Sequence, residues 1–151
     1  MPKFDTIRRM PHSAETIYDI VADVERYPEF LPYCEKLIII DETNDETGHL
    51  LEADMTVGYK AIQETFRSKV ILDPTSKTIT STNLNGPFKH LENRWHFKPL
   101  SENQTDVHFF IDYAFKNWAM EKLMGSLFEK AFRTYATSFE ERAKNLANEN
   151  Q

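Results

Sequence analysis

The spacing of apolar positions changes along the chain, and each change of period marks a predicted element. Lys3 to Met10 alternates at period two and reads as a short strand, stopped by Pro11. Ser13 then stands where a helix N-cap belongs, with Thr16 in the place a capping-box Glu would fill. Ile17, Ile20, Val21 and Val24 follow at three- and four-residue spacing, so residues 14–24 predict a helix with one apolar stripe. Pro28 and Pro32 confine the stretch from Arg26 to Tyr33 to a turn or a short second helix. That connection is unusually aromatic, carrying Tyr27, Phe30, Leu31 and Tyr33.

From Cys34 to Phe115 the period returns to two, punctuated by turn signals at 44–48, 73–76, 85–87 and 101–103. The predicted strands cover 35–43, 49–57, 60–72, 77–84, 91–99 and 104–115, which with the first make about seven. Their connections are short, so neighbours should pair antiparallel, and none is long enough to be a βαβ crossover. From Ala119 to Ala147 only Gly125 interrupts a pattern in which Met120, Met124, Leu127, Phe128, Ala131, Tyr135 and Phe139 recur at helical spacing. This predicts one helix of about 29 residues, roughly 43 Å long, which needs a curved sheet to lie in. No repeat or linker divides the chain, so 1–147 reads as a single α+β domain with a frayed polar tail at 148–151.

Alternation also sorts side chains by face. Leu91, Trp95 and Phe97 point inward, opposite Glu92, Arg94, His96 and Lys98. Val107, Phe109, Ile111, Tyr113 and Phe115 point inward, leaving His108, Asp112 and the less expected Phe110 outside. In 60–72 the inward set is Ile62, Phe66, Val70 and Leu72, which carries Glu64 and Ser68 to the same side. A bare buried carboxylate is too costly, so an inward Glu64 must be hydrogen-bonded, neutral or wet: it pairs across the sheet, caps a backbone group near the rim, or touches a polar ligand head group.

Composition narrows the chemistry. The 151 residues are 40% apolar and 13% aromatic, including 11 Phe, which favours a cavity or an apolar contact surface. Lys plus Arg is 18 against 24 Asp plus Glu, a formal charge of −6, which argues against DNA or broad nucleic-acid binding. One cysteine, Cys34, gives neither a disulfide nor a multi-cysteine zinc site, and a reduced interior is the expectation. The N-terminus lacks the apolar run of a signal peptide, and the aliphatic run 37–40 is far short of the roughly 18 residues of a membrane helix. A cytoplasmic protein is expected, at most peripheral at an inner membrane.

The five histidines, at 12, 49, 90, 96 and 108, show no metal-ligand spacing, so no metal site is expected. His96 and His108 are candidate cross-strand neighbours on the outer face. The glycines at 48, 58, 86 and 125 form no phosphate loop, and Cys34 has no triad context. No catalytic residue is assigned; Glu64 is the sole acid that a cavity enzyme would have available.

The stretch Val24-Glu25-Arg26-Tyr27-Pro28-Glu29-Phe30-Leu31-Pro32-Tyr33-Cys34, with Glu64-Thr65-Phe66-Arg67-Ser68 and Gly86-Pro87-Phe88-Lys89, resembles the coenzyme Q-binding protein family. That family lies in the START-like, helix-grip superfamily, which also contains polyketide cyclases and dehydrases. Leu91 through Trp95 to Phe97, the strand end at Phe115, and Phe139-Glu140-Glu141-Arg142-Ala143 extend the resemblance over nearly the whole chain. Tyr33 stands where Trp is commoner in the family.

The resemblance implies a seven-stranded antiparallel sheet curled around a long C-terminal helix, with two short helices after the first strand and an apolar cavity between. It implies a non-enzymatic protein with no cofactor, holding ubiquinone or a related polyprenyl lipid as its ligand and supporting respiratory electron transfer. Transient contact with a membrane surface would serve exchange. The bacterial branch includes ribosome-association toxins, so contact with the large ribosomal subunit is the alternative, and a cyclase-like cavity enzyme is the third reading. Candidate lining residues are Phe30, Leu31, Tyr33, Glu64, Phe66, Phe88, Leu91, Trp95, Met124 and Phe128. Each apolar one also fits plain core, and the loop residues Phe30, Leu31, Tyr33 and Phe88 are expected nearest to solvent.

Overall fold

The computed structural model describes residues 3–46 and 48–149. In chain order it contains β1 (Lys3–Met10), α1 (Ala14–Ala22), a 3-10 helix (Val24–Glu29), β2 (Cys34–Asp45), β3 (Gly48–Tyr59), β4 (Ile62–Asp73), β5 (Thr78–Asn85), β6 (Phe88–Ser101), β7 (Gln104–Phe115) and α2 (Trp118–Glu149). The seven strands make one sheet in the order β1-β7-β6-β5-β4-β3-β2, and every neighbouring pair is antiparallel. β1 and β2 are therefore the two edges, and α1 with the 3-10 helix carries the chain from one to the other.

Local sequence accounts for the element ends. The Ser13 hydroxyl accepts from the Thr16 backbone N–H at 3.1 Å and caps α1 as expected. The helix expected through Val24 ends at Ala22 instead: the Asp23 N–H still reaches Asp19 O, and the backbone then tightens into 3-10 turns that accommodate Pro28. At the other end α2 runs for 32 residues, roughly 48 Å, with Asn148 and Glu149 in its last turn. The remaining tail residues, 150 and 151, lie outside the described residues.

β2 is an irregular edge. Its ladder with β3 shifts register between Cys34 and Lys36 and again between Ile39 and Asp41, and outward Ile38 and Ile40 are exposed. On β7 the residues at 107, 109, 111, 113 and 115 are buried, as their spacing requires. The outward Phe110 is covered by cations, with the Arg94 guanidinium 4.2 Å and the Lys3 ammonium 5.7 Å from its ring centre. His96 and His108 do face each other across β6 and β7, and His108 Nε2 is 2.5 Å from Asp5 Oδ1 on the next strand.

The long helix lies across the concave face of the sheet, its backbone nearest to β7, β1 and α1, and it reaches β4 through Phe128 on Phe66. Its buried residues Met124, Leu127, Phe128, Ala131, Phe132, Tyr135, Phe139 and Ala143 form the stripe that meets the sheet. The wedge between helix and sheet is where the cavity opens.

A cavity between two aromatic clusters

A cavity of about 80 Å³ occupies this wedge. Its floor is the inner face of the sheet: Leu37 of β2, Ala53 and Met55 of β3, Phe66, Ser68 and Val70 of β4, Ile79 and Ser81 of β5, Leu91, Asn93 and Trp95 of β6, and Ile111 of β7. Its roof is Phe132, Tyr135 and Phe139 of α2, and Val24 and Tyr27 of the 3-10 helix close the side.

Aromatic clusters bound it at both ends. At one end Phe66, Phe88, Phe115 and Phe128 meet with ring centres 4.9–5.8 Å apart. At the other, Tyr27, Phe30 and Trp95 surround Phe139 at 5.2–5.3 Å. Both clusters are built by the segments that carry the family resemblance. Gly86 lets the turn into β6 lie against Phe66, the Pro87 carbonyl accepts from the Lys116 N–H at 2.9 Å, and Phe88 is thereby driven inward. In the other motif, the Leu31 N–H closes on Tyr27 O at 2.8 Å and the Tyr27 hydroxyl donates to the Val21 carbonyl. Glu29 receives Arg142 of α2 at 2.8 Å and Arg26 at 3.1 Å, which joins this motif to the one near the helix end and holds the Glu29 carboxyl below its usual range.

The expected lining residues divide into several groups. Phe66, Leu91 and Trp95 line the cavity. Phe88 and Phe128 are buried in the aromatic end cluster, and Met124 is buried without belonging to the lining. Phe88 and Leu31, expected near solvent, are only 1% and 3% exposed, because the turns that hold them fold back onto the core. Phe30 packs on Phe139 from outside and helps line a surface groove with Arg26 and Arg142. Tyr33 adopts a left-handed backbone, φ 67°, and sets its ring edge-on to Tyr59 at 5.5 Å, away from the cavity lining.

Glu64 corrects the alternation argument most clearly. It pairs with Val57, on a part of β4 that runs beyond the end of the β5 ladder, which starts at Arg67. Alternation gives the side of a residue but not its depth along the strand, and here the side chain reaches a half-exposed surface groove with Asp54, Thr65, Arg67, Gly86, Pro87 and Met120. In that groove Arg67 grips Asp54 through two bonds of 2.7 and 3.1 Å, which lowers the Asp54 pKa.

Alternation put Ser68 of the polar wall on the inward side but passed over Ser81 and Asn93. Ser81 and Asn93 are directly paired across β5 and β6, and Ser68 lies diagonally from Ser81 on β4. Asn93 donates Nδ2 to the Phe110 carbonyl at 3.0 Å; its Oδ1 and the hydroxyls of Ser68 and Ser81 make no hydrogen bond among the described residues. On α2 the fully buried Tyr135 hydroxyl also has no partner among the described residues. Asn93 sat in view between Leu91 and Trp95 at the inward spacing, and Tyr135 is the sole hydroxyl-bearing aromatic of the inward helix stripe.

The titratable groups at or beside the cavity are held neutral. Burial pushes the Tyr27 and Tyr135 hydroxyls well above their ordinary range and the Cys34 thiol up to about 11. The described lining includes no Asp, Glu, His, Lys or Arg. Elsewhere, no group of three or more His, Cys, Asp or Glu among the described residues is arranged to hold a metal ion, and no described helix is long and apolar enough to cross a membrane.

A seven-stranded antiparallel sheet gripping a C-terminal helix over an internal cavity defines the START-like class. Residues 10–140 match the family model described as polyketide cyclase / dehydrase and lipid transport, and the chain belongs to that family. The ribosome association toxin RatA of Rickettsia prowazekii is 32% identical over 149 residues, covering 97% of this chain and 99% of its own. The mitochondrial coenzyme Q-binding protein of Schizosaccharomyces pombe is 31% identical over 123 residues, covering 79% of this chain and 74% of its own. Among solved structures, an 18 kDa protein of Caulobacter crescentus superposes with a TM-score of 0.78 at 28% identity, over 98% of this chain and 99% of its own. The Zhui aromatase/cyclase of a Streptomyces species superposes with a TM-score of 0.82, over 95% of this chain and 93% of its own; at 16% identity it shares the fold alone.

Proposed function

We propose that this protein is a non-catalytic carrier of an isoprenoid quinone or a similar ring-bearing lipid, held with its ring in the cavity under α2. The observation that carries this reading is an apolar cavity walled by aromatic rings and supplied with a few hydroxyl and amide groups, with no ionisable acid or base in the ordinary range among its described lining residues. That combination suits binding of an uncharged ring, whereas a cyclase needs a general acid or base near neutrality. The relation to a coenzyme Q-binding protein supports the same ligand class.

The cavity must widen to work. An engineered cavity of about 150 Å³ takes up benzene, while this one measures about 80 Å³. Widening has a route on one side, because α2 meets β4 through side chains, Phe128 on Phe66, and not through backbone hydrogen bonds. Parting that side displaces aromatic rings without breaking a β-ladder.

Ala53 gives the test, since it lines the cavity and is itself buried. Ala53→Leu is expected to fill the space, leave stability unchanged or raised by about 0.5–2 kcal/mol, and abolish lipid uptake. Organic extraction and mass spectrometry of the wild-type protein, purified from its native source and then incubated with ubiquinone, should recover the quinone from wild type and not from the variant. Failure of the wild-type protein to carry or take up any quinone removes the proposal.

A second reading is favoured by the relatives named ribosome association toxins, which match nearly the whole chain. In that reading the protein binds the large ribosomal subunit. Co-sedimentation of the purified protein with isolated subunits, lost when charges on the outer face of the sheet are reversed, would establish it. Retention of co-sedimentation by Ala53→Leu would separate that activity from the cavity.

A further inference from the structure

The start of α2 leaves large apolar side chains in solvent. Trp118 is 72% exposed and Leu123 61%, and no other described helix residue combines such size with such exposure. At about 100° per residue they flank the outward line of the helix, with Ala119, Lys122 and Ser126 between them, while Met124, Leu127 and Phe128 face the core. Cations are set among these side chains. The Lys122 ammonium lies 5.0 Å from the Trp118 ring centre, and those of Lys130 and Lys60 each lie 5.2 Å from the ring centre of Tyr59, itself exposed at the β3–β4 turn. Lys130 stands two turns beyond Leu123 on the same edge of α2, so its reach to Tyr59 brings the turn alongside the helix face.

Among the described residues no carboxylate lies within ion-pair distance of Lys60, Lys122 or Lys130. Of the nearby acids on α2, Glu129 accepts from Arg133 at 2.7 Å, and Glu121 lies on the flank where its charge bears on Tyr113. In a chain of net charge −6 the result is a local face both basic and apolar. We propose that residues 118–130 of α2 and the β3–β4 turn dock on a bilayer surface bearing anionic lipids. Trp118 and Leu123 enter the headgroup boundary, and Lys60, Lys122 and Lys130 meet lipid phosphates. Amphipathic rings and lysines on apolar stems suit that boundary. Anionic lipid repels the acidic remainder of the protein and so orients it. RNA is a poorer fit, since phosphate-backbone binding draws on many cations and has no use for an exposed leucine. The purpose assigned to docking rests on the carrier reading above. Phe128, on the underside of the same turns, packs with Phe66, Phe88 and Phe115 behind the face, so a ligand that parts this end cluster is delivered to lipid.

The test uses phosphatidylcholine vesicles with and without phosphatidylglycerol, read by co-sedimentation and by tryptophan emission. The chain has 2 tryptophans and Trp95 is buried, so Trp118 reports the interface and Trp118→Phe supplies the blank. Binding is expected to require phosphatidylglycerol, to weaken with salt, and to shift Trp118 emission to shorter wavelength. Leu123→Ser should weaken it roughly tenfold or more, the scale of withdrawing one leucine from an apolar phase. The double variant Lys60→Gln, Lys130→Gln should lose roughly tenfold or more as well. These side chains are exposed, so thermal midpoints should stay at the wild-type value. Ile7→Ser, which removes a comparably exposed apolar side chain from β1, should bind vesicles as wild type does.

Vesicle binding that survives both the leucine and the lysine substitutions, or that Ile7→Ser weakens equally, overturns the assignment of this face. So does a lysine variant that keeps vesicle binding and loses co-sedimentation with ribosomal subunits, because the face then serves the ribosome. A wild-type protein that takes up ubiquinone from detergent yet ignores anionic vesicles overturns the docking face and leaves the carrier reading standing. One that docks through these residues yet carries no quinone supports the face and removes the carrier reading, so the two failures are distinguished.

Discussion

Phe88→Ala is expected to cost about 3–5 kcal/mol of stability, the usual range for deleting a buried aromatic ring. Phe88 is 1% exposed and touches Phe66, Tyr113, Phe115 and Phe128, so its loss opens a void at the junction of β4, β6, β7 and α2. Urea denaturation followed by circular dichroism checks this, and a loss below about 1 kcal/mol, the scale of a surface substitution, would show that the end cluster is not packed as described. Phe88→Asp and Leu31→Asp should fare worse, because each buries a carboxylate with no partner. Neither variant can therefore separate ligand uptake from folding, whereas Ala53→Leu can, since it leaves the clusters intact.

Gly86→Ala is expected to be nearly as damaging through a different route. Gly86 has φ 134°, a backbone region essentially closed to other residues, at about 1–3 kcal/mol. A methyl group there would also meet the Phe66 Cβ at 2.5 Å and its Cα at 3.0 Å, and a backbone atom cannot swing aside as a side-chain end can. Forced relief of such overpacking adds about 1–3 kcal/mol. Gly48→Ala is the control: φ is 136° there, yet nothing lies within 4 Å of the added methyl, so only the conformational part should appear. Equal midpoint losses in the two variants would mean the contact with Phe66 carries no weight.

The fold was legible because its signals are local and repeated. Every strand of the sheet coincides with a stretch of period-two alternation, and Ser13 caps α1 where its position required. The candidate site was legible in part, for a physical reason: periodicity reports which side of an element a residue occupies, but neither its depth nor what folds over it. Glu64 has the inward spacing of Phe66 and Ser68 yet lies past the end of β5. Phe88 and Leu31 belong to connections, but the Pro87 carbonyl bond to Lys116 and the Leu31 bond to Tyr27 tie those connections onto the core. Tyr135 looked like one more core ring, because an unmade hydrogen bond leaves no mark in a sequence.

The irregular course of β2 has a bearing on how copies of this protein treat one another. An edge strand of 12 residues, with Ile38 and Ile40 exposed, would present a ready template for a neighbour's backbone if its free amides and carbonyls stayed in line. The shifts at Cys34/Lys36 and Ile39/Asp41 break that line into short runs, and the acidic Asp41 and Glu42 follow at the second break. Resistance to sheet-to-sheet aggregation is thereby written into the backbone of the strand, leaving its inner face free to build the cavity floor.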